Sequence, residues 1–223
     1  MIEAIDVNKE YRRAGAIIRA LADVNLTIKS GEFVIVQGPT GCGKSTLLNV
    51  ISGLDLPDSG RIIFDGENIA RATEDRLSKI RRQKIGFVFQ DFNLVPTLTG
   101  IENVMALLWP TVLREKEIEN RAIAALRDVN LLERKDHYPV QMSGGEKQRC
   151  GLARAIVHRP RVILADEPTG NLDPQSEKDV MDLLKQINQD METTVIVVTH
   201  RGSLASYADK VIQMEKGAII NIK

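Results

Sequence analysis

Several features are scarce in this sequence, and each scarcity excludes a class of protein. The 223 residues include two cysteines, Cys42 and Cys150, which have neither zinc-ligand spacing nor the density of a disulfide scaffold. No apolar run approaches the roughly 20 residues that cross a bilayer. The segment Met1–Asp6 lacks the basic and apolar parts of a secretory signal, so we expect the chain to remain in the cytoplasm.

An excess of one charge is also lacking. Thirty Lys and Arg residues balance 30 Asp and Glu residues, and the charges are interspersed rather than gathered in a basic stripe. Nucleic acid is therefore not an expected partner. Hydrophobic residues make up 43% of the chain, which is enough to bury a core, and we expect one domain with a smaller lobe.

A phosphate-binding loop with the spacing G-x-x-x-x-G-K-S lies at Gly38–Ser45. In this pattern backbone N–H groups converge on the phosphates, Lys44 reaches the β and γ oxygens, and the Ser45 hydroxyl binds Mg²⁺. The pattern requires a strand before it and a helix after it, and Phe33–Gln37 and Ser45–Gly53 fit. We assign to nucleotide binding Gly38, Pro39, Thr40, Gly41, Cys42, Gly43, Lys44, Ser45 and Thr46.

Two acidic residues follow the short apolar run Val162–Ala165. Asp166 and Glu167 are then expected at the carboxyl end of a strand, where open α/β sheets place their ligands. Asp166 suits a Mg²⁺ ion that bridges the phosphates, and Glu167 suits the orientation or deprotonation of the attacking water. Pro168 is expected to keep Glu167 out of helical geometry. Taken with the phosphate loop, the pair predicts ATP hydrolysis.

The segment Ser143–Glu146 opens a predicted helix and allows two interpretations. Ser143 with Glu146 three residues later is a capping box, which needs no function beyond pairing the free N–H groups of a helix end. The pair Gly144 and Gly145 favours the second interpretation, because glycines weaken a first helical turn and expose its N–H groups to an anion.

The remaining patterns predict an α/β fold. Apolar strands alternating with helices indicate a mostly parallel sheet covered on both faces, as in a P-loop NTPase core. Short β-type segments within residues 2–29 predict an N-terminal antiparallel β subdomain. Apolar positions spaced by three and four predict that Thr99–Leu132 is helical throughout. We expect a helical subdomain of about residues 91–158, inserted in a single nucleotide-binding domain that spans residues 1–223.

With these motifs in this order, the chain resembles the ATPase subunit of ATP-binding-cassette transporters nearly from end to end. The resemblance implies that the signature segment Met142–Arg149 contacts the γ-phosphate of an ATP held by a second subunit, so that two copies form a head-to-tail dimer around two ATP. The family usually has Gln at the position of Glu146. The resemblance also implies roles for single residues. Tyr11 would stack on adenine, and Gln90 would touch Mg²⁺ and sense a membrane permease subunit. Asn171–Asp173 would communicate across the dimer, and His200 would hold the γ-phosphate and position Glu167. Taken singly, Tyr11, Gln90 and His200 also have structural explanations.

The run Asp166–Asp173, with Phe87–Gln90 and Asn93–Leu94, is similar to the subgroup that serves lipoprotein release, macrolide and peptide export, and cell division. Peripheral attachment to the inner face of the membrane through the permease follows. Phe92–Leu98 is either the groove that receives this partner or ordinary packing of the helical lobe.

The sequence bears on three rival functions. One is a non-transport ATPase that signals through a membrane partner to cell-wall remodelling, which the sequence does not separate from transport. A DNA-repair or chromosome-organising ATPase would carry a long coiled coil that is not evident here. A P-loop kinase would lack Ser143–Glu146, and a GTPase would carry an N-K-x-D motif that this chain does not contain.

Overall fold

A computed structural model describes residues 1–13 and 15–223, and its strands form two sheets. In chain order the strands are β1 (Ile2–Arg13), β2 (Ala16–Ile28), β3 (Phe33–Gln37), β4 (Ser59–Phe64), β5 (Glu67–Asn68), β6 (Ile85–Phe89), β7 (Val162–Asp166), β8 (Thr194–Thr199), β9 (Lys210–Glu215) and β10 (Ala218–Ile222). The first sheet has the order β2-β1-β4-β5 and is antiparallel. The second has the order β10-β9-β3-β8-β7-β6 and is parallel except at β10.

The α-helices cover the parallel sheet and lie between its strands in the sequence. They are α1 (Lys44–Ser52), α2 (Glu74–Lys84), α3 (Gly100–Met105), α4 (Glu115–Asp128), α5 (Gly144–Ile156) and α6 (Pro174–Asp190). The residues of β3 and β8 are almost all fully buried, as expected for strands with helices on both faces. The predicted α/β fold with a mostly parallel sheet and an antiparallel N-terminal sheet is confirmed.

One element prediction is wrong: the segment Thr99–Leu132 is not helical throughout. Helix α3 ends at Met105, α4 begins at Glu115, and residues 106–114 form turns and irregular backbone. Pro110 lies in this gap and cannot donate a helical hydrogen bond, and the Thr111 hydroxyl donates to the Leu108 carbonyl at 2.6 Å. The apolar spacing continues across the gap because Leu108 is buried in the core, and not because the gap is helical.

The N-terminal segments are also longer than expected. Two long strands, β1 and β2, replace the short segments, and register shifts between Ala4 and Glu10 let them stay paired. Asp6 and Asp23 take positive φ there, as at β-bulges.

Helices α3, α4 and α5 lie between β6 and β7 in the sequence and pack against one another. Their apolar faces join one core with a face of the parallel sheet. Whether residues 91–158 form a separate subdomain stays a prediction. In the described part of the chain, none of the helices combines the length and the apolarity needed to span a bilayer.

Candidate functional site

The phosphate loop lies between β3 and α1, as the sequence predicts. Gly43 is the N-cap of α1 with φ 106°, no side chain caps this end, and the first turn holds no acidic residue. A Cβ on Gly43 would lie 2.2 Å from the Ala20 carbonyl oxygen, so only glycine fits. The N–H groups of the first turn therefore lack side-chain partners at the positive end of the helix dipole.

The Lys44 side chain folds back over this loop. Its Nζ donates to the Gly38 carbonyl at 2.8 Å and to the Pro39 carbonyl at 3.0 Å, and the residue is buried. A buried ammonium held by two neutral carbonyls keeps its charge uncompensated, which suits it to an incoming phosphate.

Ser45 and Asp166 form the expected oxygen pair for a metal. The Ser45 hydroxyl donates to Asp166 Oδ1 at 3.0 Å. Burial raises the pKa of Asp166; the Ser45 hydrogen bond and the Lys44 charge oppose this rise, and the Glu167 charge adds to it. Within residues 1–13 and 15–223, no cluster of three or more His, Cys, Asp or Glu side chains could hold a metal. The Ser45 hydroxyl and the Asp166 carboxylate are a donor set that fits Mg²⁺, which uses one or two protein oxygens together with phosphates and water.

Glu167 and His200 meet above the same loop. Glu167 follows β7, His200 follows β8, and His200 Nδ1 lies 3.1 Å from Oε1 and 3.0 Å from Oε2 of Glu167. Glu167 has φ 47°, so it leaves right-handed helical geometry before Pro168, as predicted. A non-glycine residue in this region costs about 1–2 kcal/mol. Its backbone N–H donates to the Val198 carbonyl at 3.0 Å, which fixes the strained residue to β8.

Gln90 follows β6 on the other side of β7. Its Nε2 donates to Asn171 Oδ1 at 3.2 Å, while Asn171 Nδ2 donates to the Gln90 carbonyl and to Asp91 Oδ1. These bonds join the two loops for which the resemblance implied separate roles. They leave the Gln90 side-chain oxygen available as a ligand.

Tyr11 is held at the edge of the site by a cluster that the sequence analysis missed. Its hydroxyl donates to Asp55 Oδ2 at 2.7 Å, and Lys9 Nζ donates to Asp55 Oδ1 at 2.7 Å. Lys9 Nζ also lies 5.3 Å from the centroid of the Tyr11 ring. Burial, followed by the Asp55 hydrogen bond, raises the pKa of Tyr11. Nothing in the spacing of Lys9 and Asp55 signals this contact, because 46 residues separate them.

These groups line one cavity of about 730 Å³. It brings together the phosphate loop, both acidic residues and the implied aromatic, glutamine and histidine residues. Its lining includes Tyr11, Thr40, Gly41, Gly43, Lys44, Ser45, Thr46, Gln90, Asp166, Glu167 and His200. Gly38, Pro39 and Cys42 belong to the same loop but do not line the cavity, and Cys42 is buried.

The signature segment and Asp173 do not line this cavity. Ser143 and Glu146 form the capping box at the start of α5. Asp173 caps α6, since its Oδ1 accepts from the N–H groups of Gln175 and Ser176. The hydrogen bond from the Ser176 hydroxyl, together with these N–H bonds, lowers the pKa of Asp173. In a single chain both segments therefore have structural partners and lie outside the lining of the cavity.

Arg154 is a second contributor that sequence reasoning missed. From α5 its guanidinium donates to the Asn93 carbonyl at 2.5 Å and the Phe92 carbonyl at 2.9 Å. Phe92 and Asn93 both have positive φ, so Arg154 holds the strained turn after Gln90. Of the apolar segment beyond it, Phe92 and Leu94 pack against the core and Val95 is exposed.

The comparisons with known proteins agree with this geometry. The family model described as ABC transporter matches residues 21–170. The ABC transporter ATP-binding protein MJ0796 of Methanocaldococcus jannaschii is 44% identical, over 98% of this chain and 95% of its own. The macrolide export ATP-binding/permease protein MacB of Brucella abortus is 42% identical over 99% of this chain, which covers 34% of MacB.

A solved structure gives the same result. The dimeric post-hydrolysis state of the MJ0796 cassette, bound to ADP and Pi, superposes with a TM-score of 0.92 at 41% identity and covers 100% of this chain and 98% of its own. Because the family model covers most of the chain and the MJ0796 match spans nearly all of both proteins, the chain belongs to the ABC transporter ATP-binding family.

Proposed function

We propose that this chain binds ATP with Mg²⁺ in the cavity at the start of α1 and that Glu167 drives its hydrolysis. As an ABC transporter ATP-binding subunit the chain is an ATPase that acts as a dimer with a membrane permease. The observation that carries the residue assignment is the convergence of Lys44, the uncapped start of α1 and the Glu167–His200 pair on one cavity.

Each group has a role that follows from its position. Tyr11 stacks on the adenine ring, and the N–H groups of the loop with Lys44 bind the phosphates. Glu167 accepts a proton from the attacking water, and His200 holds Glu167 in place and contacts the γ-phosphate. Ser45, Gln90 and Asp166 would hold Mg²⁺, which when bound neutralises charge on the β- and γ-phosphates.

The dimer supplies what one chain lacks. MJ0796 is described as a dimeric cassette bound to ADP and Pi. We propose the same head-to-tail arrangement here, with Ser143, Gly144, Gly145 and Glu146 of one copy facing the phosphates bound by the other and Asp173 at the contact. Their position outside the cavity of their own chain supports this assignment.

The membrane permease places the chain on the inner face of the membrane as a peripheral subunit. We propose that the exposed Val95 and its neighbours in Phe92–Leu98 contribute to the permease contact. The similarity to MacB favours export of a macrolide, and the resemblance to the export subgroup adds lipoprotein and peptide as further candidate substrates. The alternative is signalling through a membrane partner to cell-wall remodelling.

The Glu167→Gln variant tests the catalytic assignment. We expect it to bind ATP and dimerise while turnover falls about 10²–10⁴-fold, the usual contribution of a general base. ATP affinity, molar mass by light scattering and phosphate release measure the three properties. Glu117→Gln on the exposed face of α4, which breaks only the pair with Arg121, is the matched control.

Two outcomes would contradict the proposal. Normal turnover of Glu167→Gln would remove Glu167 as the base, and full activity in a strictly monomeric preparation would remove the shared site. Both alternatives involve a membrane partner, so ATP-dependent movement of a substrate by the copurified complex, reconstituted in vesicles, would decide between transport and signalling.

A further inference from the structure

The carboxylate of Glu177 lies outside the cavity but touches both segments that carry the catalytic pair. It belongs to the first turn of α6. Its Oε2 accepts from the Thr169 hydroxyl at 2.9 Å and forms an ion pair with the Arg201 guanidinium. Glu177 and Thr169 are largely buried, and the Arg201 side chain is 32% exposed. Two donors on one largely buried carboxylate oxygen, one of them charged, make strong contacts.

The two partners of Glu177 lie next to the catalytic residues in the chain. Thr169 is two residues after Glu167, and the Gly170 N–H donates to the Glu167 carbonyl at 3.0 Å, which closes the turn between them. Arg201 directly follows His200, and its own N–H donates to Thr199 Oγ1 at 3.1 Å. Each tether is therefore short and closed by a hydrogen bond, so the position of Glu177 is transmitted to both ends of the Glu167–His200 contact.

Glu167 needs such support because its backbone is strained. A positive φ in a non-glycine residue persists only when the surrounding structure holds it. The Glu167 N–H donates to the Val198 carbonyl, which holds Glu167 to β8. The Thr169 hydroxyl donates to Glu177, which holds the turn that follows Glu167. Loss of either bond frees the residue to relax away from its position over the phosphate loop.

We propose that Glu177 is a positioning residue that aligns Glu167 and His200 for hydrolysis. This inference rests on the roles proposed above for those two residues. Glu177 touches no nucleotide-binding group in the structure, so it acts through Thr169 and Arg201. Its contribution lies in the rate of the chemical step and not in ATP affinity.

The position of Glu177 on α6 also connects the catalytic pair to the proposed dimer contact. Its N–H donates to the Asp173 carbonyl at 2.8 Å, and Asp173 caps the same helix. The first turn of α6 therefore contains both the residue at the proposed dimer contact and the partner of Thr169 and Arg201.

The test compares Glu177→Gln, Thr169→Val, Arg201→Gln and Arg201→Lys in the full chain. We expect Glu177→Gln and Arg201→Gln to lower kcat by up to about 100-fold, the cost that a misplacement of about 1 Å in an active site can have, with ATP affinity within about twofold of wild type. Arg201→Lys keeps the charge and retains most of the rate. The double variant Glu177→Gln with Arg201→Gln loses no more than Glu177→Gln alone, because the two residues act through one contact.

Lys185→Gln is the matched control for a general weakening of α6. It breaks the ion pair between Lys185 on the same helix and Asp209, whose side chains are 26% and 50% exposed, and this pair involves neither Thr169 nor Arg201. We expect its kcat to equal that of wild type. If Glu177→Gln does not fold, Thr169→Val and the two Arg201 variants decide the question by the same measurements.

The outcomes separate this inference from the proposed function. Loss of turnover in Glu167→Gln together with unchanged kcat in Glu177→Gln and Arg201→Gln overturns the positioning role alone. Normal turnover in Glu167→Gln overturns the proposed catalytic role and the inference with it. An equal loss of rate in Lys185→Gln, or additive losses in the double variant, would show that α6 acts only as structural support and would also overturn it.

Discussion

Helices α1 and α5 both begin at a glycine-containing segment proposed to face phosphate, but their N-termini are built in opposite ways. Gly43 at the start of α1 offers no side-chain cap, and the first turn has no acidic residue. At the start of α5 the Ser143 hydroxyl accepts from the Glu146 N–H, and the Glu146 carboxylate accepts from the Ser143 N–H at 2.8 Å. Arg134 pairs with the same carboxylate.

The difference indicates an order of events in ATP binding. The end of α1 lacks partners until an anion arrives, so it is the strong phosphate site of a single chain. At the end of α5 the N–H groups of Ser143 and Glu146 are already paired within the chain, and the Glu146 carboxylate lies close to the remaining N–H groups of the first turn. This helix end adds only a weak attraction for phosphate. ATP is therefore expected to bind at α1 first, and α5 of the second copy closes on it afterwards.

The largest expected effect comes from adding one methyl group at each helix start. In Gly43→Ala the new Cβ meets the Ala20 carbonyl at 2.2 Å and the residue has φ 106°. We therefore expect the free energy of unfolding to fall by about 2–5 kcal/mol and ATP binding to weaken with it. In Gly144→Ala the Cβ meets nothing closer than 3.4 Å, and stability changes by about 1 kcal/mol or less. Urea denaturation and ATP titration measure both. Equal effects in the two variants would contradict the contrast between the helix starts.

Lys44→Ala is expected to lower ATP affinity about a hundredfold, since it removes a charged donor to the phosphates. Calorimetric titration measures the affinity, and circular dichroism checks the fold. Lys185→Gln, which breaks an ion pair away from the cavity, is the control with unchanged affinity. Wild-type affinity in Lys44→Ala would show that the loop N–H groups suffice alone.

Ser143→Ala is expected to lower the free energy of unfolding by about 1 kcal/mol, because it removes the cap of α5. ATP binding by the monomer stays unchanged, since Ser143 does not line the cavity of its own chain. Urea denaturation measures the free energy of unfolding, and ATP titration of the monomeric variant, with Glu167 unchanged, measures the ATP affinity. A loss of monomer ATP affinity would place α5 in the first binding step.

The smallest effect concerns pH and Glu146. The Ser143 N–H bond, with the Arg134 pair, lowers the pKa of Glu146 below its ordinary value of 4.5. The ionised carboxylate therefore adds stability above that value, and this stability is lost as pH falls through the lowered pKa of the folded state. Glu146→Gln should cost less than about 1 kcal/mol at pH 7, and the difference should disappear in acid.

Urea denaturation at about pH 3–8, a range that includes the ordinary pKa of Glu, measures the difference in free energy of unfolding between wild type and Glu146→Gln. Glu133→Gln, an exposed carboxylate in the same region of the chain, is the control. A difference for Glu146→Gln that stays constant over this range would show that the charge of Glu146 has no part in capping α5.

Motifs and periodicity were sufficient for the fold class and for most of the site. Lys44 and Ser45 begin a helix after a strand, and Asp166 ends a strand that Glu167 directly follows, because local spacing fixes which group lies at which end of an element. The same logic failed for Thr99–Leu132, where Pro110 lies in the break between two helices while the buried Leu108 continues the apolar pattern across it. Lys9, Asp55 and Arg154 had no local signal, since their partners lie 44 or more residues away.

The sequence by itself therefore determined that the chain has a phosphate loop, two acids after a strand and a glycine-containing helix start, and hence its family. Only the tertiary structure decided that Gln90 contacts Asn171, that Tyr11 is held by Asp55 and that Glu177 joins the segments of Glu167 and His200. The physical reason is that motif chemistry depends on neighbours along the chain. The alignment of side chains from different strands and helices depends instead on how the sheet order and the helix packing bring distant residues together.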